Sequence, residues 1–282
     1  MQYLFLITVI FGVSFQNIIK KPYTKKTSGK GSYTFALLLS LTALVFFVLT
    51  SNGLAFNPGL ILYSSLFAVS YILATVFALE AISCGLLSLT ALLISYSLLL
   101  PTIYGLVFLK DTIDALFVLG FILLIISLFL TNTKKEKVKI NFKWIIFASL
   151  ASIGNGMCSV SQKMQQVKFD GAYKNEFMIL ALSIVATFLF VYSLIKERRE
   201  MTGFIKAGWK EAILCGLANG VVNMLVMVLS GTMPASLLFP LISGGGILIT
   251  HLVARFYYKE KLSKVQTVGF IIGLASVILL NL

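Results

Sequence analysis

Lys259-Glu260-Lys261-Leu262-Ser263-Lys264-Val265-Gln266-Thr267-Val268-Gly269 is a charged turn set between two long apolar runs. Moved back by 149 residues it falls on Lys110-Asp111-Thr112-Ile113-Asp114-Ala115-Leu116-Phe117-Val118-Leu119-Gly120. Lys110 meets Lys259, Asp111 meets Glu260, Ile113 meets Leu262 and Gly120 meets Gly269. Beyond the turn, Phe121, Ile122, Ser127 and Leu130 meet Phe270, Ile271, Ser276 and Leu279. Two apolar helices match easily by composition alone. A charged turn does not, so the offset reads as an internal duplication.

Composition decides what kind of solvent the chain needs. It is 59% hydrophobic and 12% charged, with a mean hydropathy of +0.97. A soluble domain carries about 25% charged residues, so this chain has too little polar surface to cover itself. It reads as an all-α integral membrane protein whose first partner is the lipid bilayer. The formal charge is +13, but the basic residues lie between apolar runs, as loop charges that set orientation do. Nucleic acid is therefore not expected as a partner. Cys84, Cys158 and Cys215 are too far apart for a zinc motif or a disulfide framework, and read as small buried hydrophobes. The first apolar run has no positive residue before it and no small-residue cleavage site after it, so it reads as a retained helix.

A bilayer needs about 20 apolar residues per helix. Ten stretches qualify: residues 3–19, 33–50, 60–79, 86–109, 115–131, 144–163, 176–195, 212–230, 235–258 and 265–282. Residues 1–133 form a first repeat of five, residues 134–141 a basic linker, and residues 142–282 a second repeat of five. An odd number per repeat makes the second enter the membrane from the opposite side, giving two inverted five-helix repeats. The loops after helices 1, 3, 5, 7 and 9 carry 19 of the 23 basic residues. By the positive-inside rule these loops are cytoplasmic, both termini are non-cytoplasmic, and the protein is a multi-pass protein of the cell membrane.

Ten helices in two repeats, with a Lys-acid-x-aliphatic turn and a following Gly at each junction of fourth and fifth helix, resemble the drug/metabolite transporter superfamily, in its EamA-like branch. The resemblance rests on Lys259-Glu260-Lys261-Leu262-Ser263 with Gln266 and Gly269, on Lys110-Asp111 with Gly120, and on Pro234-Ala235-Ser236-Leu237 with Pro240. It covers nearly the whole chain. It implies a metabolite exporter, a drug or amino-acid carrier, or an exchanger, and leaves the substrate open. The sequence departs from the family's pattern in carrying no charge between helices 2 and 3.

Polar groups inside a membrane are costly, so each asks for a reason. His251, with Arg255 four residues on, lies on the ninth helix; His251 reads as a proton-sensitive or ligand-binding group, or as a neutral histidine bonded to a neighbour. Glu80 closes the third helix and reads as an interfacial carboxylate, or as a gate paired with Arg255 or a lysine. No Asp or Glu lies near the middle of a helix, which disfavours proton coupling through a buried acid. Amides form the second group: Gln16 with Asn17, Asn155, Gln162, and the pair Asn219 and Asn223 on one helical face. An offset of 146 sets Gln16 on Gln162. Such amides bind a polar solute or bond helix to helix. Lys163, beside Gln162, reads as a lysine snorkelling at the outer boundary, or as a group that attracts an anion. Ser243-Gly244-Gly245-Gly246 follows Pro240; Gly245 and Pro240 read as gating points, or as a close crossing of helices 4 and 9, and Ser243 as a substrate contact. Tyr71 and Tyr96 read as cavity walls, or as rings facing lipid or a neighbouring helix.

These features favour a secondary-active transporter of a small metabolite or drug-like solute, working by alternating access, as a monomer or homodimer and without a cofactor or metal. No nucleotide-binding motif is present. A structural or assembly role is the alternative. A lipid-modifying enzyme is less favoured, because one histidine and no buried carboxylate pair make a poor catalytic centre.

Overall fold

The computed structural model describes the chain apart from residues 52, 54, 85–89, 91–92, 95, 113, 132–141, 257–262 and 281–282. The basic linker 134–141 and the Lys259–Leu262 part of the decisive turn therefore lie outside the described residues, as do the side chains of Asn17, Cys84, His251 and Arg255. Among the described residues there are helices and no strands. They are α1 (Gln2–Lys26), α2 (Ser32–Thr50), α3 (Leu60–Cys84), α4 (Leu99–Phe108) behind a 3-10 turn (Tyr96–Leu98), α5 (Ala115–Thr131), α6 (Phe142–Lys168), α7 (Lys174–Lys196), α8 (Met201–Ser230), α9 (Ala235–Phe256) and α10 (Lys264–Leu279). Six of them, α1, α2, α3, α6, α7 and α8, are long and apolar enough to cross a membrane. Exposed Phe11, Leu49, Val69, Val107, Phe129, Phe190 and Ile271 sit on outward faces. An all-helical chain with such an apolar exterior suits a bilayer, because each helix satisfies its own backbone polar groups.

Several helices run past the expected ends. The first continues through Lys20, Lys21 and Pro22 to Lys26. The eighth begins at Met201, so Lys206 to Glu211 is helical rather than loop, with a break in helical geometry at Gly208 (φ −144°). Tyr23 of α1 packs against that glycine. Apolar run length marks only the lipid-embedded part of a helix; hydrogen-bonded turns continue into the polar margin.

Pairing follows a simple scheme. α1 lies antiparallel on α8, meeting it at Gly12 and Val222 and at Tyr23 and Gly208. α3 lies antiparallel on α6, where Ser70 and Ala74 pass so close to Gly154 that a Cβ there would stand 2.6 Å from backbone atoms of both. α2 and α7 are antiparallel partners. Glu197 at the end of α7 accepts hydrogen bonds from Tyr33 N (3.2 Å), Thr34 N (2.8 Å) and Thr34 Oγ1 (2.6 Å) at the start of α2. Asn175 at the start of α7 donates to the Thr50 carbonyl at the end of α2. α5 and α10 are joined reciprocally: Ser127 Oγ donates to the Gly269 carbonyl and Ser276 Oγ to the Gly120 carbonyl, both at 2.7 Å. These four residues are two of the pairs matched by the 149-residue offset.

Two large apolar cores result, beside a small cluster of Ala81, Trp144 and Ala148. One gathers Phe35, Phe47, Phe67, Phe177 and Leu182 around α2, α3 and α7. The other gathers Val9, Leu124, Leu229, Leu238 and Leu241 around α1, α5, α8 and α9. α8 feeds both, through Cys215 and Met227 on one side and Val222 and Val226 on the other.

Candidate functional site: an amide chain across four helices

Where α1, α3, α6 and α8 converge, five polar side chains bond into one chain. Tyr71 Oη of α3 donates to Asn219 Oδ1 of α8 at 3.0 Å. Asn219 Nδ2 donates to Gln16 Oε1 of α1 at 3.1 Å. Asn223, one turn further along α8, donates through Nδ2 to Asn219 Oδ1 at 3.0 Å and to the Asn219 carbonyl at 2.9 Å. Gln162 Nε2 of α6 donates to Asn223 Oδ1 at 2.8 Å. Tyr71, Gln16 and Gln162 are buried, so these groups have little access to water and must find partners in one another. Gln16 Nε2 turns back to the Gly12 carbonyl at 3.4 Å, and the Gln162 carbonyl oxygen has no partner among the described residues. The chain thus ends in amide groups with capacity to spare. It carries no charge of its own and suits the binding of polar uncharged groups or of an anion's oxygens.

A second polar point lies two turns along α6. Asn155 Nδ2 donates to Ser97 Oγ at 2.7 Å, in the 3-10 turn that also holds the half-buried Tyr96. Ser97 carried no signal in the sequence, where a serine in an apolar run is unremarkable. Ser243 is half-buried on α9 and makes no hydrogen bond among the described residues.

The glycine run and Pro240 sit inside α9. Gly244 faces Leu124 of α5, and Gly245 faces Ile10 of α1. The Gly246 carbonyl accepts from Ser14 Oγ of α1 at 2.9 Å. The run therefore brings α9 against α5 and α1, whereas α4 and α9 meet earlier, at Gly105 and Ser236. His251 and Arg255 follow on the same helix.

Lys163 is not a snorkelling lysine. It is 7% exposed and donates through Nζ to the carbonyls of Ser230 and Met233, each at 2.7 Å. Those carbonyls belong to the end of α8 and the turn into α9, where the helix dipole favours a cation. Asp111 acts on the same turn. Its Oδ2 accepts from Ser236 N (3.0 Å) and Ser236 Oγ (2.8 Å), capping the start of α9 from the loop between α4 and α5. A lysine and an aspartate from different helices thus clamp one turn. At the opposite end Lys26 pairs with Glu211 at 2.5 Å, Glu197 caps α2, and Ser32 lies beside Glu80. Glu80 thus sits near the start of α2; a contact with Arg255 falls outside the described residues.

Lys20 falls just beyond the apolar run of residues 3–19, which by itself places it in a loop. It lies inside α1, half-buried, one turn beyond Gln16 and facing Cys215 of α8. The four-residue spacing from Gln16 was the available signal.

No family model matches this chain, and no curated protein does. The solved structures do. One, described only as "Crystal structure of protein", superposes with a TM-score of 0.77 at 11% identity, covering 99% of this chain and 95% of that one. At that identity the match establishes a shared fold over nearly the full length. It carries nothing about activity.

Proposed function

We propose that this protein is a secondary-active transporter of a small polar solute, built from two inverted five-helix repeats that rock about the amide chain. The amide chain carries the reading. Gln16 and Tyr71 come from the first half of the sequence, Gln162, Asn219 and Asn223 from the second, so a solute held there touches both halves. Relative motion of the halves then changes access without dismantling either. The inverted arrangement is supported by exchange symmetry. Swapping α1 with α6 and α3 with α8 turns one antiparallel pair into the other, while α2 with α7 and α5 with α10 map onto themselves. The reciprocal Ser127–Gly269 and Ser276–Gly120 bonds are what a local twofold produces. All ten helices cross the bilayer on this reading, and the resemblance to the EamA-like branch of the drug/metabolite transporter superfamily agrees with it.

The two ends of the bundle supply gates. Lys163 and Asp111 close the α8–α9 turn at one end; Glu80, Glu197 and the Lys26–Glu211 pair tie the other. Pro240, Gly245 and Arg255 lie on α9, which spans between them. The basic end faces the cytoplasm, and the termini the opposite side.

The test is solute flux in proteoliposomes. Asn219→Leu removes the residue bonded to Gln16, Tyr71 and Asn223. It is expected to lower flux of a transported solute by about tenfold or more, the weight of one or two buried polar contacts. Wild-type rates in this variant at equal protein content would reject the amide chain as the solute site.

A further inference from the structure

Two lysines stand on helix faces that carry buried amides, Lys163 buried and Lys20 half-buried, and their surroundings differ. Lys163 has two carbonyl acceptors and Asp111 nearby. Lys20 makes no hydrogen bond or ion pair among the described residues. It stands between Gln16 and Tyr23 on the buried face of α1, where Gln16 is 6% and Tyr23 2% exposed. Opposite is Cys215 of α8, whose Sγ is already directed to the Gln16 carbonyl at 3.7 Å, and a thiol is no counter-ion. The nearest acid on α8 is Glu211, one turn before Cys215, and Lys26 occupies it at 2.5 Å. Lys20 thus leaves one uncompensated ammonium beside uncharged amides.

A half-buried charge without a counter-charge is partly desolvated, and pairing it is a source of binding energy for an anion. The neighbouring amides suit the same ligand, since a carboxylate oxygen accepts from an amide N–H as well as from an ammonium. One net positive charge matches one negative charge. We infer that the solute is a small monocarboxylate, with its anionic group on Lys20 and its uncharged remainder along Gln16 and Asn219. This rests on the transporter reading and narrows it to a substrate class.

The experiment is a thermal-shift series on the purified full chain with lactate, benzoate and N-acetylglycine. Each is set against its neutral amide, with inorganic phosphate as the multiply charged control. At least one carboxylate is expected to raise Tm where its amide and phosphate do not. Its apparent affinity falls by about tenfold or more in Lys20→Met, as for loss of one charge-assisted hydrogen bond, and returns in Lys20→Arg. Lys25→Met, at an exposed lysine on the same helix, changes nothing. Should Lys20→Met not purify, Lys20→Gln makes the same comparison. Equal shifts from amides, no shift from any carboxylate, or unchanged affinity without the Lys20 charge overturns the inference. Counterflow of the same compounds keeps the two readings apart. Flux of amides without carboxylates sinks the carboxylate and leaves the transporter, whereas no flux of either class rejects both.

Discussion

Asp111 shows what one carboxylate does when the sequence pattern around it repeats. As part of a turn it marks a junction between helices. In the folded chain its Oδ2 caps a different helix, α9, through Ser236. Asp111→Ala is expected to destabilise the protein by about 1 kcal/mol, the usual value of an N-cap, read as a lower Tm in detergent, with Asp111→Asn recovering part. Lys163→Met is expected to cost more, about 1–3 kcal/mol, because it strands the buried Ser230 and Met233 carbonyls. A Tm within a degree of wild type for Lys163→Met would mean that water replaces the ammonium. At this scale the sequence names residue types well and their surroundings poorly. It singled out Gln16, Tyr71, Gln162, Asn219 and Asn223 because amides and tyrosines in an apolar run are expensive. Lys20 lies past the end of the apolar run, so run length alone places it outside the helix that contains it.

Helix contacts set the second scale. Gly154 lets α6 lie against α3 with no side chain between them. Gly154→Leu places a branched side chain where a Cβ alone would stand 2.6 Å from the Ser70 carbonyl and the Ala74 nitrogen, so the pair must part. The expected result is loss of monodisperse protein on size exclusion, while a substitution at exposed Ile153 leaves the profile unchanged. The Ser127 and Ser276 bonds give a quantitative test. Each serine-to-alanine change is expected to cost about 0.6 kcal/mol, typical of an interhelical bond in a membrane. The two should be equal and additive, since the bonds share no atoms. Unequal losses would argue against a local twofold between α5 and α10. The offset of 149 residues found these partners in the sequence. It said nothing of their touching, because a repeat relates residues by symmetry and only packing decides which symmetric pairs meet.

For the whole molecule the question is which end opens. Asp111 and Ser236 join the loop after α4 to the start of α9. A disulfide between cysteines at these two positions is expected to halt flux when oxidised and to release it when reduced. Flux that continues in the oxidised form would remove this contact from the gate. Orientation is tested separately: a reporter active only in the cytoplasm, fused after Leu282, should stay silent, and a signal would invert the assignment.

The sequence by itself determined the solvent, the helical class and the polar groups that need partners. Those follow from composition and run length, which act residue by residue: a chain with 12% charged residues cannot cover itself in water, whatever its fold. Tertiary structure alone decided that Asn219 joins Gln16 to Tyr71, that Lys163 and Asp111 hold one turn, and that Lys20 faces a thiol rather than an acid. Each depends on residues more than 60 positions apart meeting within about 3 Å, or on a helix ending later than its apolar run. Such meetings are set by the packing of whole helix faces, which no local stretch of sequence records.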